Sequence, residues 1–235
     1  MPPILIVSHG QPSDPEAAAR ELERLAGAVA ALLPGYEVGS ATLAEPGALE
    51  AALVRLGHGG RLYPLFMAGG WFTRVNLPKR LAVAGAADWA VLEPMGCDPA
   101  VHELAVRIIQ EAGAVSSVIL AAHGSGQSRV PADIAHHVAG LIAAQVRVPA
   151  AAAFIDQAPR LAEVAGHGPA SVCLPYFAAE GGHVALDIPA ALAQAGFAGR
   201  LLPALGLDPR LPAIIAAAIA AGKPVCAGAC AWARG

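Results

Sequence analysis

Two histidines stand at the ends of short apolar stretches in the second half of the sequence. His123 follows the stretch Ser117–Ala122, and His183 follows the paired glycines Gly181 and Gly182. Imidazole nitrogen is a common ligand of divalent first-row metal ions such as Fe, Co, Ni and Zn. If both histidines lie at one edge of a sheet, the sequence predicts a two-histidine metal site.

The neighbours of the two histidines have side chains and backbones suited to a bound ligand. Gly124 and Gly181 permit tight turns and a close approach of a flat ligand to the backbone. Ser125 can donate a hydrogen bond to a ligand or accept one from it. Glu180 lies three residues before His183 and would add a carboxylate for metal binding or proton removal. For Glu180 the sequence leaves a site residue and a solvated loop residue equally open.

The segment that contains His183, Leu174–Pro189, has a counterpart about 111 residues earlier, in Tyr63–Pro78. The prolines, the first phenylalanine and a glycine recur at matching positions, but Phe72 stands where the second segment has His183. Beside Phe72, Trp71 either packs in a core or stacks on a planar ligand. Other strand ends and helix starts repeat at nearly the same offset, which is typical of an internal duplication.

Strand-like and helix-like stretches alternate along both copies, which predicts an α/β fold. Each half is expected to be a parallel sheet flanked by helices, with apolar strands covered on both faces. The predicted division is 1–113, 114–222 and a tail at 223–235. Ligands bind outside the carboxyl ends of such strands, where both histidines would lie.

A helix is predicted over Pro159–Ala165. The remaining histidines have no partner pattern and are expected at the surface: His58, His102, His136, His137 and His167.

Composition argues against several classes of partner. The chain of 235 residues has a formal net charge of −3 and no run of Lys and Arg, so no nucleic-acid partner is predicted. Its apolar run Leu211–Ala221 is shorter than the roughly 20 residues of a membrane-spanning helix. The N-terminal MPPILIVSHG lacks the basic region of a signal peptide, which predicts a cytoplasmic protein. The cysteines lack zinc-knuckle or CxxC spacing and are expected to be reduced thiols: Cys97, Cys173, Cys226 and Cys230. For Cys226 and Cys230 a frayed terminus is favoured over a metal-handling tail.

Several motifs together carry a family resemblance. The second half contains the strand and HGS of Ile119–Ser125, the FID of Phe154–Asp156 and the PYFAAEGGHVALDIP of Pro175–Pro189. Weaker versions in the first half are Ser8–Gln11, Thr42–Pro46 and Pro64–Pro78. On these motifs the chain resembles the sirohydrochlorin cobaltochelatase/ferrochelatase family, the class II tetrapyrrole chelatases of cobalamin and sirohaem biosynthesis, in a long duplicated form.

The resemblance implies an enzyme of the lyase class that inserts Co²⁺ or Fe²⁺, with Ni²⁺ as a further candidate, into sirohydrochlorin or a related tetrapyrrole. The metal is then a substrate, and no organic cofactor is expected. His123 and His183 would bind the metal and act in catalysis, and Glu180 is a further catalytic candidate. Because Phe72 replaces the second histidine of the first copy, one working site is expected. The predicted substrate-binding residues are Ser125, Gly124, Gly181, His9, Trp71 and Phe72.

Two alternatives to the enzyme follow from the sequence. The missing histidine at Phe72 also suits a metal or tetrapyrrole carrier of the same fold that has lost turnover. A hydrolase is disfavoured, since the chain has no GxSxG elbow, no P-loop and no Arg-His-Gly motif. The chain is expected to bind a tetrapyrrole, without a nucleic-acid or membrane partner, as a monomer with pseudo-two-fold halves or a weak homo-oligomer.

Overall fold

Two four-stranded parallel sheets are present in the structure, a computed structural model that describes residues 1–226 and Trp232. The strands are, in chain order, β1 (Ile4–Ser8), β2 (Val38–Thr42), β3 (Arg61–Pro64), β4 (Ala90–Val91), β5 (Val118–Ala122), β6 (Ala150–Phe154), β7 (Val172–Pro175) and β8 (Arg200–Leu201). One sheet has the order β2-β1-β3-β4 and the other has the order β6-β5-β7-β8, with parallel pairing throughout. The shared order confirms the prediction of an α/β fold with two similar halves.

α-Helices lie in every connection between successive strands except that from β6 to β7, because parallel strands need long crossover connections. The α-helices are α1 (Pro15–Ala31), α2 (Ala48–Leu56), α3 (Leu77–Val83), α4 (Pro99–Glu111), α5 (Val130–Val146), α6 (Ile188–Gln194) and α7 (Leu211–Ala221). Two π turns, Phe72–Asn76 and His183–Asp187, lead directly into α3 and α6. Within the described residues, no helix is long and apolar enough to cross a membrane, and α7 has 11 residues.

The prediction of a helix over Pro159–Ala165 is wrong. Only one 3₁₀ turn, Leu161–Glu163, forms in this segment. The stretch ends at Gly166, whose φ of +77° lies in the left-handed region that stops a helix. The few residues before that glycine give too few intrahelical hydrogen bonds to offset the cost of helix nucleation.

The chain divides into two compact units that do not follow the predicted boundary at 113/114. The N-terminal unit contains residues 1–98 and 209–226, and the C-terminal unit contains residues 99–208 and Trp232. Helix α4 thus belongs to the C-terminal unit, where it packs against α5, and α7 belongs to the N-terminal unit, where it packs against α1. The boundary near residue 113 stays a prediction about where the duplicated sequence restarts. His102 on α4 is buried, so the prediction that it lies at the surface is wrong.

An apolar core in each unit holds the helix that follows each π turn. In the N-terminal unit the core joins strand residues such as Leu5 and Leu62 to Leu77, the first residue of α3. In the C-terminal unit it joins Ile119 to Ile188, the first residue of α6. Leu77 and Ile188 are fully buried, and each contributes about 2 kcal/mol of hydrophobic stabilisation. The π turns are therefore anchored at their carboxyl ends.

The residues after α7 cover the outer edge of β4. Pro224 lies opposite Leu92 in an antiparallel bridge, and the Glu93 N–H donates to the Lys223 carbonyl at 2.8 Å. The Lys223 Nζ lies 2.7 Å from Oε2 of Glu93, whose side chain is only 9% exposed. The hydrogen bond to Glu93 raises the pKa of Lys223 above its ordinary value. The predicted tail at 223–235 therefore begins as part of the N-terminal unit, while Cys230 lies outside the described residues.

Replacing Lys223 with alanine is expected to destabilise the protein by about 1–2 kcal/mol, because the nearly buried Glu93 carboxylate loses its cation. This range is lower than that for a fully buried ion pair, because solvent screens the charge of the exposed lysine. Since the pKa of Lys223 is raised on folding, this stabilisation is present at neutral pH and is lost as the pH rises through that raised value, above the ordinary 10.5. Urea unfolding at pH 7 measures the loss, with Lys79→Ala, at an exposed lysine, as the control. Equal midpoints for the two variants would contradict the expectation.

Candidate metal centre

His123 is positioned by the turn that ends β5. Gly124 follows it with a φ of +80°, a left-handed conformation that glycine adopts without strain. A Cβ at Gly124 would lie 2.7 Å from Cγ of Gln157, so the buried turn also needs glycine for space. The Ser125 N–H donates to Gln157 Oε1 at 2.7 Å, which fixes the loop beyond the histidine. The structure thus gives Gly124 a conformational role, and its contact with substrate stays a prediction.

His183 is positioned by the π turn that it begins. The Ile188 N–H donates to the His183 carbonyl, the wide i→i+5 bond that defines this turn. Pro189 comes next; it has no N–H to donate to residue 185, and its ring would clash with that carbonyl in a regular α-helix. A wider turn before the proline relieves this conflict. Gly181 lies at the start of the turn, where its carbonyl accepts from the N–H groups of Val184 and Ala185.

The two predicted metal ligands meet. The Nε2 atoms of His123 and His183 lie 3.2 Å apart, and the rings are nearly perpendicular, with centroids 4.6 Å apart. Both side chains are 45% exposed, so a small solute can reach the nitrogens from solvent. They come together because β5 and β7 are neighbours in the sheet and their carboxyl ends share one edge.

The other ring nitrogen of each histidine faces only hydrogen-bond acceptors among its contacts in the described structure. His123 Nδ1 lies 3.1 Å from the carbonyl of Gly124 and 3.3 Å from Oδ2 of Asp156. His183 Nδ1 lies 2.6 Å from Oδ2 of Asp187. Each Nδ1 must therefore carry the proton that it donates. In the neutral rings both Nε2 atoms then present lone pairs to each other.

Two lone pairs at this distance repel each other unless a cation lies between them. A proton would serve, and so would a metal ion. Metal–imidazole bonds of about 2.1 Å place two nitrogens 3.2 Å apart when the angle at the metal is about 100°, which suits tetrahedral or octahedral coordination. The pair is therefore close to the geometry of two adjacent ligands of one metal ion.

The sequence interpretation did not identify Asp156 and Asp187 as the partners of the two histidines. Both aspartates lie in the motifs that carried the family resemblance, FID and DIP. Asp187 could have been found from its spacing of four residues after His183, which places two side chains on one face of a helical turn. Asp156 could not, because its contact with His123 depends on the pairing of β5 with β6.

The other predicted residues near this pair occupy the surrounding loops. Glu180 is exposed in the loop after β7, and Asp187 is the carboxylate that contacts His183 Nδ1. The hydroxyl of Ser125 accepts from the Gln127 N–H at 3.2 Å. Substrate contact by Ser125 and Gly181, and a catalytic role for Glu180, remain predictions.

The N-terminal unit repeats the architecture of this site with only one of its two imidazoles. His9 lies at the end of β1, and its ring meets Phe72 edge-on, with centroids 5.7 Å apart and an interplanar angle of 83°. Phe72 stacks on Phe66 at 5.3 Å, and the largely exposed Trp71 meets it edge-on at 6.2 Å. The predicted residues His9, Trp71 and Phe72 are thus brought together as an aromatic cluster.

The positions of the two aspartates have also changed in the N-terminal unit. Ala44 donates its N–H to the His9 carbonyl at 2.9 Å, just as Asp156 donates to the His123 carbonyl at 3.0 Å. Ala44 therefore replaces Asp156. Asn76 ends the first π turn where Asp187 ends the second. One imidazole remains in this unit, and the second imidazole and both carboxylates are gone.

Two buried cysteines, Cys97 and Cys173, have structural surroundings and are not among the ligands of either site. Cys173 is buried on β7, and burial raises the pKa of its thiol to about 12. Cys97 is buried, and its sulfur accepts from the Gly69 N–H at 3.2 Å. Among the described residues, no group of three or more His, Cys, Asp or Glu side chains is arranged to hold a metal ion. The histidine pair is therefore a partial ligand set that leaves positions open for other ligands.

Comparison with known proteins agrees with this geometry. The CbiX family matches residues 117–221 of the chain. A solved structure of CbiX, described as the terminal enzyme for biosynthesis of siroheme in denitrifying bacteria, is 45% identical. The match covers 93% of this chain and 98% of that chain, with a TM-score of 0.86. Comparison with curated protein sequences gives no match.

Two further solved structures share the fold at low sequence identity. SirB from Bacillus subtilis with Fe³⁺ is 16% identical and has a TM-score of 0.74, with 95% of this chain and 96% of that chain covered. The sirohydrochlorin chelatase SirB from Bacillus subtilis subspecies spizizenii, in complex with cobalt, is 17% identical and has a TM-score of 0.71, with the same coverage. At such identities these two matches show the fold alone.

Proposed function

Because this chain belongs to the CbiX family, we propose that it is a chelatase of the lyase class that inserts Co²⁺ or Fe²⁺ into sirohydrochlorin or a related tetrapyrrole. The observation that carries the proposal is the pair of Nε2 atoms 3.2 Å apart, with both Nδ1 atoms directed at acceptors. This arrangement favours a cation between the rings. The protein described as CbiX acts in siroheme biosynthesis, and the SirB structures contain Fe³⁺ or cobalt, which supports metal as the second substrate.

In the proposed reaction, His123 and His183 hold the incoming metal ion through Nε2. Two protein ligands leave coordination positions open, which the pyrrole nitrogens take as the metal enters the ring. The insertion releases two pyrrole protons, and a nearby base must accept them. We assign this role to Glu180, whose carboxylate would accept one proton, and to one of the two histidines, whose Nε2 would accept the other once the metal has left it. Glu180 suits it because it is exposed in the loop that leads to His183.

The residues proposed to contact the tetrapyrrole form one set in each unit. In the C-terminal unit they are Ser125, Gly124 and Gly181, which flank the histidines in the loops after β5 and β7. In the N-terminal unit, His9, Trp71 and Phe72 present an aromatic surface that suits a flat macrocycle. Offset stacking and edge-to-face contacts stabilise such aromatic pairs beyond the area that they bury.

Replacing Trp71 with alanine is expected to raise the KM for the tetrapyrrole roughly three- to tenfold, because one aromatic contact is lost. The KM for the metal should not change, since Trp71 is not a proposed ligand. Steady-state kinetics with each substrate varied in turn measures both constants. Val83→Ala is the control, because Val83 is another exposed apolar residue of the same unit. An unchanged tetrapyrrole KM would remove Trp71 from the substrate site.

A chelatase assay tests the proposed function. The full chain is mixed with sirohydrochlorin and Co²⁺, Fe²⁺ or Ni²⁺, and the loss of free-base absorbance is followed at a protein concentration far below that of the tetrapyrrole. Turnover of many equivalents supports the enzyme. Binding of one equivalent without turnover would contradict it and support the alternative, a metal or tetrapyrrole carrier, which the altered N-terminal copy also suits.

We further propose that the chain works in the cytoplasm without a nucleic-acid or membrane partner, as a monomer of two similar halves or a weak homo-oligomer. The metal is a substrate in this scheme, and no organic cofactor takes part. These points rest on the sequence, where the net charge is −3. Light scattering of the purified chain tests the oligomeric state.

A further inference from the structure

We propose that Asp187 is a positioning residue for the metal ligand His183. Its carboxylate holds the ring with the proton on Nδ1, so that the Nε2 lone pair faces the metal. The inference deepens the proposed metal site and rests on it. It assigns a role to a side chain that was not among the predicted site residues.

The contact between Asp187 and His183 is short and locally fixed. The distance of 2.6 Å between Oδ2 and Nδ1 is at the short end for a charge-assisted hydrogen bond. The two residues are the first and last of one π turn, and the next N–H, that of Ile188, closes the turn on the His183 carbonyl. Because Ile188 is fully buried, the backbone that carries both side chains is anchored in the core.

The duplication shows that the turn itself does not need the carboxylate. In the N-terminal unit the same π turn forms over Phe72–Asn76, and the Leu77 N–H closes it on the Phe72 carbonyl. There the imidazole is replaced by phenyl and the carboxylate by an amide. The buried Oδ1 of Asn76 has no hydrogen-bond partner among the described residues. Within the π turn, the carboxylate at the last position is therefore present in the copy whose first residue is histidine and absent in the copy whose first residue is phenylalanine.

This pattern separates a role in metal binding from a role in folding. A carboxylate needed to form the turn would be required in both copies. A carboxylate that orients an imidazole is required only beside the imidazole. Without Asp187, the His183 ring would be free to exchange its Nδ1 and Nε2 positions by rotation and to carry its proton on either nitrogen. Outer-shell partners of metal-bound histidines typically change metal affinity by 10–100-fold.

The first experiment removes the carboxylate from the native site. In Asp187→Asn and Asp187→Ala, Co²⁺ affinity, measured by visible absorption on titration, should fall roughly 10–100-fold. The KM for the metal should rise, while the KM for the tetrapyrrole and the thermal midpoint stay unchanged. Asp187→Glu should recover part of the affinity. Unchanged Co²⁺ affinity in both of the first two variants would overturn the proposal, and so would an equal loss of thermal stability and of affinity.

The second experiment introduces the pair of histidine and aspartate into the π turn of the N-terminal unit. In a chain that carries His123→Ala and His183→Ala, Phe72→His creates an imidazole beside His9, and Asn76→Asp adds the carboxylate four residues later. The chain with both additions should bind one Co²⁺ at least about tenfold more tightly than the chain with Phe72→His alone. Thermal unfolding confirms that both chains are folded.

Equal affinities in the two rebuilt chains, or no binding by either, would overturn the positioning role. The result does not depend on turnover, because only Co²⁺ is added. A native chain that binds Co²⁺ but fails the chelatase assay would therefore contradict the proposed function alone. Asn76→Asp by itself should not create a second Co²⁺ site, since Phe72 supplies no ligand.

Discussion

Replacing either His123 or His183 with alanine is expected to lower kcat/KM for metal insertion at least about 100-fold. Loss of a residue that only supports a metal ligand costs up to about 100-fold, and loss of the ligand itself should cost at least as much. Each substitution leaves one imidazole at a site where the two Nε2 atoms now lie 3.2 Å apart. One imidazole nitrogen binds a divalent ion much more weakly than two do, because water competes for the position that is lost. The assay follows the disappearance of free-base sirohydrochlorin at limiting Co²⁺ and again at saturating Co²⁺.

The matched control for these variants is His58→Ala, which removes an exposed histidine of the N-terminal unit. It should leave kcat/KM and the thermal midpoint unchanged. The account would be contradicted if both His123→Ala and His183→Ala kept more than half of the native activity. It would equally be contradicted if His58→Ala lost as much activity as they do.

Replacing Gly206 with alanine is expected to cost about 3 kcal/mol of stability and to lower activity roughly 100-fold. A Cβ at Gly206 would lie 2.0 Å from the carbonyl oxygen of Ala178, far inside van der Waals contact. The Gly206 N–H also donates to the Phe177 carbonyl at 2.9 Å. The loop that contains Ala178 must move away from the new Cβ, and this loop leads through Gly181 to His183. Urea unfolding and the chelatase assay measure the two effects.

Gly96 provides a matched comparison, because a Cβ there would lie 2.0 Å from the carbonyl oxygen of Met67 in the N-terminal unit. Gly96→Ala should destabilise the protein by a similar amount but leave Co²⁺ affinity unchanged, since that unit lacks the metal ligands. Gly140→Ala, in an open position on α5, should not destabilise. If Gly206→Ala and Gly96→Ala reduced Co²⁺ affinity equally, the link between this loop and His183 would be wrong.

The meeting of the two histidines could be predicted from the sequence because it depends on topology. Each histidine follows an apolar strand, and parallel strands of one sheet end at one edge. The structure makes β5 and β7 neighbours, so His123 and His183 face each other. The duplication likewise predicted two similar sheets, and their strand orders match.

The details of the site depend on features that apolar periodicity does not record. The order of apolar and polar residues in the π turn that begins at His183 is the same as at the start of an ordinary α-helix. Only the i→i+5 hydrogen bond in the structure distinguishes the two. The contact of Asp156 with His123 crosses from β6 to β5 and depends on their register. The spacing of four residues could have paired Asp187 with His183, but nothing in the sequence could have paired Asp156 with His123.

The exchange of helices between the units could not be predicted for a similar reason. Helices α4 and α7 follow equivalent strands of the two copies, so their sequences predict equivalent places. The structure puts α4 with the C-terminal unit and α7 with the N-terminal unit. Amphipathic periodicity shows that a helix has a buried face, but it does not show which sheet covers that face. The burial of His102 on α4 was missed for this reason.

The most direct test of the central claim is anomalous diffraction at the cobalt edge from crystals of the full chain soaked in Co²⁺. The account predicts one strong peak within about 2.1 Å of Nε2 of both His123 and His183. It predicts no comparable peak at His9, where Phe72 replaces the second imidazole. A dominant peak at His9, or crystals in which Co²⁺ binds but avoids the histidine pair, would contradict it.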